Sequence, residues 1–128
     1  MIVLDSDVTI DILRGLTPAV GWFDQLPDDQ ILINPGYVAL ELIWGTKDTK
    51  DQRTTENWLA DCKIVWLEPE VYEQAYRLLV SLHLKNAIGV FDVLIAQVAI
   101  SLDVPLHTFN QKHYNAVPGL RTVRPYVR

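Results

Sequence analysis

The chain has 128 residues, of which 49% are hydrophobic and 21% charged, and its formal net charge is −5. These values predict one globular domain, residues 1–128, with a single hydrophobic core. The acidic balance weighs against a protein that coats nucleic acid nonspecifically, because neutralising phosphates requires Lys and Arg. The single cysteine, Cys62, excludes an intrachain disulfide and a thiolate metal cluster.

The beginning of the chain does not resemble a targeting segment. Met1 to Leu4 are followed at once by Asp5, and no apolar run reaches the roughly 18 residues that a membrane helix needs. We therefore expect a cytoplasmic protein that does not enter a membrane.

Short apolar segments alternate with helical patterns along the chain, which is typical of βαβ units and a parallel sheet. Strands are predicted at 2–4, 31–33, 63–67, 106–109 and 121–123. Helices are predicted at 8–13, 17–26, 36–44, 47–61, 69–84 and 90–102. The pattern thus predicts an α/β fold with a central, mostly parallel sheet of four to five strands.

Three acidic residues lie in apolar surroundings. Asp5 follows the first predicted strand, and Glu41 and Asp92 are the only charged residues in the segments 37–44 and 88–96. Acids are rarely buried unless they are paired or bound to a metal. Because ligands of open parallel sheets gather beyond the carboxyl ends of the strands, we expect the three acids to converge on one cleft.

Carboxylates without His or Cys partners suit Mg²⁺ or Mn²⁺, which can activate water and offset charge on a phosphate. The pattern therefore favours phosphodiester hydrolysis. Each acid also has a structural interpretation. Asp5 or Asp7 could cap the first helix, Asp92 could be a first-turn acid, and Glu41 could point outward from a partly buried helix.

Several segments of the chain resemble the motifs of a known family. Residues 2–7, the helix that carries Glu41, and residues 91–96 are similar to the successive motifs of PIN domains. Residues 105–114, followed by Pro118-Gly119-Leu120, are similar to the last motif of that family. The resemblance spans essentially the whole chain and implies a three-layer α/β/α, PIN-like fold.

The compact length and the segment Leu13-Arg14-Gly15 resemble the toxin branch of the family, the VapC-type partners of VapBC toxin–antitoxin pairs. The resemblance implies an endoribonuclease that uses Mg²⁺, with Mn²⁺ as an alternative, to hydrolyse RNA in line. It also implies a homodimer and a VapB-type antitoxin, whose C-terminal segment would place an Arg or Lys in the acidic cleft.

The resemblance assigns roles to individual residues. Asp5 and Asp92 would bind the metal directly or through water, and Glu41 would complete the acidic pocket. The last motif of the family often carries a fourth acid, but the nearest positions here hold Asn110 and His113. Asn110 can offer a carbonyl oxygen but no negative charge, which Asp7 could supply instead.

Other polar residues are candidates for accessory roles. Ser6 or Thr108 would orient phosphate or water, and Arg14 and Lys112 would contact RNA or the antitoxin. For Arg14 a plain helix-end cation is an equally good interpretation. Basic residues also gather near the C-terminal end, where they predict either a rim for RNA or a soluble tail: Lys112, Arg121, Arg124 and Arg128.

Several further interpretations stay open. Lys47, Lys50 and Arg53 could contact RNA, although interleaved acids favour a solvated mixed-charge face. Trp44 and Trp66 lie in apolar segments and are predicted to be core or interface residues.

Two other functions compete with the nuclease. A catalytically weak or inactive PIN-like module that binds RNA or protein is the main alternative, because the fourth acid is missing. Residues 4–9 also resemble the nucleophile motif of haloacid-dehalogenase-type phosphatases, but the downstream Lys and late acidic pair of that family have no convincing counterpart, and the chain is short for it. A receiver domain fits the length, but no adjacent acidic pair and no late Lys directly after a predicted strand support it.

Overall fold

The computed structural model describes residues 1–128 and contains one five-stranded sheet. The strands are β1 (Ile2–Leu4), β2 (Leu32–Pro35), β3 (Lys63–Val65), β4 (Leu106–His107) and β5 (Thr122–Val123). Their order is β3-β2-β1-β4-β5, and every neighbouring pair is parallel. The prediction of an α/β fold with a parallel sheet of four to five strands is confirmed.

Seven helices connect these strands. They are α1 (Ser6–Leu13), α2 (Thr17–Asp24), α3 (Gly36–Trp44), α4 (Thr49–Ala60), α5 (Tyr72–Asn86), α6 (Val90–Leu102) and α7 (Gln111–Tyr114). The bounds of α3 and α6 are those predicted. The helix predicted at 69–84 instead begins as a 3₁₀ turn at Pro69–Val71. Helix α7 was not predicted, because four residues are too short to show a helical period.

The predicted start of α4 is wrong by two residues, for a local reason. Asp48 adopts an extended backbone conformation, and its side chain accepts a hydrogen bond from the Asp51 N–H at 2.8 Å. A carboxylate in this N-cap position satisfies a backbone donor that has no partner inside the helix. Asp48 is therefore the N-cap, the helix begins at Thr49, and Lys47 lies outside it.

Alternate side chains of β1 divide the core between the two faces of the sheet. Val3 belongs to the larger cluster, which contains buried residues of α3, α5 and α6. Ile2 and Leu4 belong to a smaller cluster, which residues of α1, α2 and α4 cover. Because neighbouring residues of a strand point to opposite faces, three consecutive apolar residues require helices on both sides. This is the three-layer α/β/α arrangement that was predicted.

The prediction that Trp44 and Trp66 are core residues is wrong, and the alternative that they lie in an interface stays a prediction. Trp44 is 90% exposed and Trp66 is half exposed, so neither is a core residue. The ring of Trp66 nevertheless packs against Tyr37 and so closely over Gly36 that a Cβ there would lie 2.3 Å from it. The glycine at the start of α3 is therefore required by close packing.

The strand order changes direction at β1. The chain passes from β1 to β2 and β3 on one side of the sheet, and later to β4 and β5 on the other side. Such a change leaves a crevice beyond the carboxyl ends of the two strands where it occurs, here β1 and β4.

None of the seven helices combines the length and the apolar composition that a membrane-spanning helix requires.

Candidate active site

A cavity of about 410 Å³ is lined by residues that follow β1 and β4 and by residues of α3 and α6. Its lining residues are Asp5, Ser6, Asp7, Glu41, Asp92, Phe109, Asn110 and Arg128. Phe109 is the only apolar side chain among them, and Arg128 is the only cation. The structure thus brings together the three acids predicted to converge, and places Asn110 beside them.

Asp5 follows β1 directly and is held by hydrogen bonds on both carboxylate oxygens. Oδ1 accepts from the Ser6 N–H at 2.8 Å, and Oδ2 accepts from the Thr108 hydroxyl at 2.8 Å. The side chain is therefore the cap of α1 and a cavity residue at once, so the two interpretations are compatible. Burial, and then the charge of Asp7, raise the pKa of Asp5 to about 6.

Asp92 lies in the first turn of α6, as its structural interpretation required, and also lines the cavity. Its Oδ2 accepts from the Gly89 N–H at 3.1 Å, which fixes the start of the helix. Its Oδ1 accepts from the Tyr114 hydroxyl at 3.4 Å. Asp92 is therefore oriented by the backbone of its own helix and by a side chain of α7.

Tyr114 is a site residue that the sequence analysis missed. It is completely buried, and burial together with the charges of Asp5 and Asp92 raises the pKa of its hydroxyl. Because a tyrosine that becomes buried usually finds a hydrogen-bond partner, its residue type is the only signal in the sequence that could have drawn attention to it. Its neutral hydroxyl fixes Asp92 without adding charge to the cavity.

Glu41 reaches the cavity from α3 and does not point away into solvent. Its Oε1 atom is buried and has no hydrogen-bond partner in the protein. Burial, followed by the charges of Asp5 and Asp92, raises the pKa of Glu41 to about 7. A buried carboxylate oxygen without a partner is costly, so this atom is suited to bind an ion or a water molecule.

The loop after β4 connects the site to the start of α1. Thr108 is completely buried, and its hydroxyl also accepts a hydrogen bond from the Asn110 N–H at 3.0 Å. Because this hydroxyl is used inside the protein, Thr108 orients Asp5 and does not reach a phosphate. Asp7 Oδ2 accepts from the Phe109 N–H at 2.9 Å and so joins α1 to the same loop.

Asn110 occupies the position where a fourth acid was sought. Its Nδ2 lies 3.0 Å from Nδ1 of His113, so the histidine contacts the asparagine amide and does not line the cavity itself. Asp7 lies in the cavity as well, and burial raises its pKa. The negative charges of the cavity are therefore those of Asp5, Asp7, Glu41 and Asp92.

The remaining cationic candidates separate into two groups. Arg14 and Lys47 line a groove of about 340 Å³ that shares Glu41 with the acidic cavity. Lys112 is exposed on α7 and lines neither space. Arg128, which in the sequence is only part of a basic tail, is the cation that lines the acidic cavity.

The donor set is compatible with Mg²⁺ or Mn²⁺. No group of three or more His, Cys, Asp or Glu lies close enough together to hold a metal ion through these side chains alone. Mg²⁺ does not require such a group, because it keeps several waters and is commonly bound by one or two carboxylates. The unpartnered Oε1 of Glu41 and the raised pKa values of Asp5 and Glu41 are both features that a bound cation would relieve.

Comparison with known proteins shows the family to which the chain belongs. Residues 2–118 match the family model described as the PIN domain. The chain is 30% identical over 130 residues to a protein named Ribonuclease VapC from Rickettsia bellii, an alignment that covers 95% of this chain and 94% of the relative.

Solved structures show the same fold. VapBC2 from Rickettsia felis, bound to a DNA fragment from its promoter, matches with a TM-score of 0.81 and 22% identity over 96% of this chain and 98% of that one. A toxin–antitoxin complex from Klebsiella pneumoniae matches with a TM-score of 0.77 and 21% identity over the full length of both chains. The family match and the VapC relative together show that the chain belongs to the PIN domain family, in its VapC-type branch.

Proposed function

We propose that this protein is a metal-dependent endoribonuclease and the toxin of a type II toxin–antitoxin pair. The observation that carries the proposal is the convergence of Asp5, Glu41 and Asp92, from three separate segments, on one cavity. Membership of the PIN family and the name of the Rickettsia bellii relative support a nuclease. The acids are chemically suited to that reaction, because hard oxygen ligands favour the ions used in phosphodiester hydrolysis.

In this proposal Asp5 and Asp92 bind Mg²⁺, or Mn²⁺, directly or through water, and Glu41 completes the pocket with its unpartnered Oε1. The bound ion would supply activation of water and compensation of the charge that develops on the phosphate. Asp5 and Asp92 each accept two hydrogen bonds from the protein, so both are held in place before any ligand arrives. Such preorganisation avoids a reorganisation penalty during the reaction.

The polar neighbours have supporting roles. Thr108 and Tyr114 are positioning residues for Asp5 and Asp92, and the side chain of Ser6 lines the cavity where it can contact phosphate or water. The carbonyl oxygen of Asn110 would offer a neutral ligand to the ion. Asp7 supplies the fourth negative charge of the cavity, although its carboxylate already accepts hydrogen bonds from two backbone N–H groups.

RNA is the proposed substrate. Arg14 and Lys47 line the groove that adjoins the acidic cavity at Glu41. Cations beside an acidic, metal-binding centre can hold the phosphates that flank the cleaved bond, which reconciles a net charge of −5 with a nucleic acid substrate.

A VapB-type antitoxin is the proposed regulator. The matched structures from Klebsiella pneumoniae and Rickettsia felis are described as a toxin–antitoxin complex and as VapBC2. An Arg or Lys from such a partner would pair with the acids of the cavity by charge complementarity. We expect a stoichiometric antitoxin to stop RNA cleavage, and unchanged cleavage with the bound partner would contradict this part of the proposal.

A homodimer is proposed from an exposed apolar surface. Helix α5 carries four exposed apolar or aromatic side chains at intervals of four residues: Tyr72, Tyr76, Val80 and Leu84. Leu40 and Trp44 are exposed on α3, which meets α5 through the hydroxyls of Tyr37 and Tyr72. A surface of this kind is typical of a protein interface. Light scattering should give a molar mass twice that of the chain, and a strictly monomeric protein would contradict the dimer.

Cleavage of a mixed cellular RNA pool tests the nuclease itself. The purified protein is incubated with Mg²⁺, with Mn²⁺ or with chelator, next to Asp92→Asn and the matched control Asp103→Asn. Asp103 is an exposed acid at the opposite end of α6 and lines no acidic cavity. We expect discrete fragments that need metal, persist in the control and decrease roughly a hundredfold or more in Asp92→Asn, because a carboxylate of the metal site is lost.

One observation favours a second candidate, a PIN-like module that binds RNA or protein without cleaving it. Asn110 leaves the last motif without its acid. Retained RNA binding with no cleavage under any metal would select this alternative. The phosphatase alternative has no such support, because no Lys lines the cavity that contains Asp5 and Asp7.

A further inference from the structure

The segment that follows β5 returns to the acidic cavity and places a guanidinium group there. Arg128 lines the same cavity as Asp5, Glu41 and Asp92, and it is the only cationic side chain that does so. The ring of Phe109, over which the guanidinium lies, belongs to the loop after β4, which also carries Asn110. The cavity therefore contains one positive charge, next to this loop.

The guanidinium is held by contacts that do not involve the three acids. Its Nε donates to Oδ2 of Asp11 at 2.9 Å, and the hydroxyl of Tyr126 donates to the same oxygen at 2.8 Å. The guanidinium carbon also lies 4.1 Å from the centre of the Phe109 ring. A charge-assisted hydrogen bond together with a cation–π contact fixes the direction of the group.

The tail that carries Arg128 is itself anchored. The ring of Tyr126 lies 4.8 Å from that of Phe109 and 5.9 Å from that of Trp22, between centroids. Tyr126 therefore joins the smaller core cluster, which contains Leu4 and Val8. Asp11 and Tyr126 are thus positioning residues for Arg128.

The two terminal nitrogens of Arg128 have no hydrogen-bond partner, and the side chain is 46% exposed. If the tail only neutralised the acids, these nitrogens would be expected to pair with Asp5, Asp7, Glu41 or Asp92. The charges of Arg128 and Asp7 do attract each other, but no hydrogen bond joins them. Instead Nε alone is engaged, by an acid outside the cavity, and the terminal fork is left available. A fork with this geometry matches two oxygens of a phosphate.

We propose that Arg128 binds a phosphate group of the RNA strand in the acidic cavity, next to the bond that is cleaved. This inference rests on the proposed ribonuclease function and adds to it a substrate-binding residue outside the family motifs. Preorganised arginines are effective at such sites because they offset charge on the phosphate without adding to the repulsion among carboxylates.

Equilibrium binding of RNA tests the proposal separately from cleavage. The probe is a fluorescein-labelled single-stranded RNA oligonucleotide, with Ca²⁺ in place of Mg²⁺, measured over a series of salt concentrations. The full chain is compared with Arg128→Gln, Arg128→Lys and the control Arg124→Gln. Arg124 contacts the same Phe109 ring, at 5.5 Å, but does not line the cavity.

We expect Arg128→Gln to weaken RNA binding about tenfold, the usual effect of losing a hydrogen bond between charged groups. The slope of log K against log salt should fall by about one, because one phosphate contact is lost. Arg128→Lys should keep the slope but recover only part of the affinity, since it lacks the fork. With Mg²⁺, kcat/KM should be lowest for Arg128→Gln and intermediate for Arg128→Lys. The value for Arg124→Gln should stay within about twofold of wild type.

Several results would overturn the proposal. Equal RNA binding and cleavage by Arg128→Gln and Arg124→Gln would show that Arg128 does not contact the substrate. The proposed nuclease function would not be affected by this result. Faster cleavage by Arg128→Gln would mean that the tail blocks the cavity. A wild type that binds RNA but never cleaves would refute the nuclease alone, because the salt slope would still report the Arg128 contact. A wild type that binds no RNA would refute both.

Discussion

Two regions of opposite character meet at the end of strand β1, the apolar core and the acidic cavity. Val3 and Leu4 are completely buried among apolar side chains, and Asp5, the next residue, is almost as deeply buried at 5% exposure. Burial stabilises the first two residues because their apolar surface leaves water. For Asp5 it raises the pKa to about 6, which means that the ionised carboxylate is disfavoured in the fold. The core therefore stabilises the protein, whereas burial of ionised carboxylates in the acidic cavity destabilises it.

The largest expected effect on stability belongs to the core. Ile95 in α6 is completely buried in the larger cluster. Ile95→Ala should lower the free energy of unfolding by about 2–5 kcal/mol, through lost burial and the cavity that remains. Denaturant unfolding with chelator, and again with Mg²⁺, measures this loss, which should be similar in both conditions. Val127→Ala, at an exposed position, should change the value by less than about 0.5 kcal/mol.

A charge substitution in the cavity should have the opposite sign. Asp5→Asn removes a buried charge and keeps one acceptor oxygen for the Ser6 N–H, while its amide N–H can donate to the Thr108 hydroxyl, which then accepts in place of donating. In chelator near pH 7.5, the variant should be more stable than wild type by about 1–3 kcal/mol, since each unit of pKa shift corresponds to about 1.4 kcal/mol. Thermal and denaturant unfolding measure the difference.

The pH dependence of that difference has a definite sign. The pKa of Asp5 rises from 3.8 to about 6 on folding, so between these values the folded state binds more protons than the unfolded state. The contribution of Asp5 to stability is therefore most favourable below about pH 4 and declines as the pH rises to 6. The advantage of Asp5→Asn should nearly vanish at pH 4. Asp29 is an exposed acid of the loop after α2. An equal gain in stability for Asp29→Asn would contradict this interpretation.

A smaller effect is expected from restoring an acid in the last motif. Asn110→Asp adds a carboxylate to a cavity already lined by four. The metal-free variant should lose about 1 kcal/mol of stability through repulsion between like charges. It should bind Mg²⁺ several-fold more tightly, because the charge of the ligands sets affinity for hard cations. Unchanged stability and affinity would place Asn110 outside the influence of the metal site.

The fold could be predicted from the sequence wherever a periodic pattern exists. Strand β1 and helices α3 and α6 have the predicted bounds because long apolar runs with clear capping or glycine signals define them. The short helix α7 and the 3₁₀ turn at Pro69–Val71 escape such reasoning, since one turn shows no period.

The candidate site could be predicted only in part. Asp5, Glu41 and Asp92 are visible because a lone acid in an apolar segment needs a reason to be there. The residues that position them are hidden, because the contact from Thr108 to Asp5 joins positions 103 residues apart. Arg128 could not be separated from the other basic residues of the tail, since its location depends on Asp11 and Phe109. Tertiary contacts between distant segments carry no local pattern.

Titration of the protein with Mg²⁺ near pH 7.5 tests the central claim most directly. Isothermal calorimetry and the melting temperature are measured for wild type, Glu41→Gln and the exposed control Asp29→Asn. We predict saturable binding that raises the melting temperature of wild type and of the control by mass action. Glu41→Gln should bind at least roughly tenfold more weakly, because it removes the charge beside Asp5 and Asp92. Absence of binding by either Mg²⁺ or Mn²⁺, or equal binding by all three proteins, would contradict a metal site built from these acids.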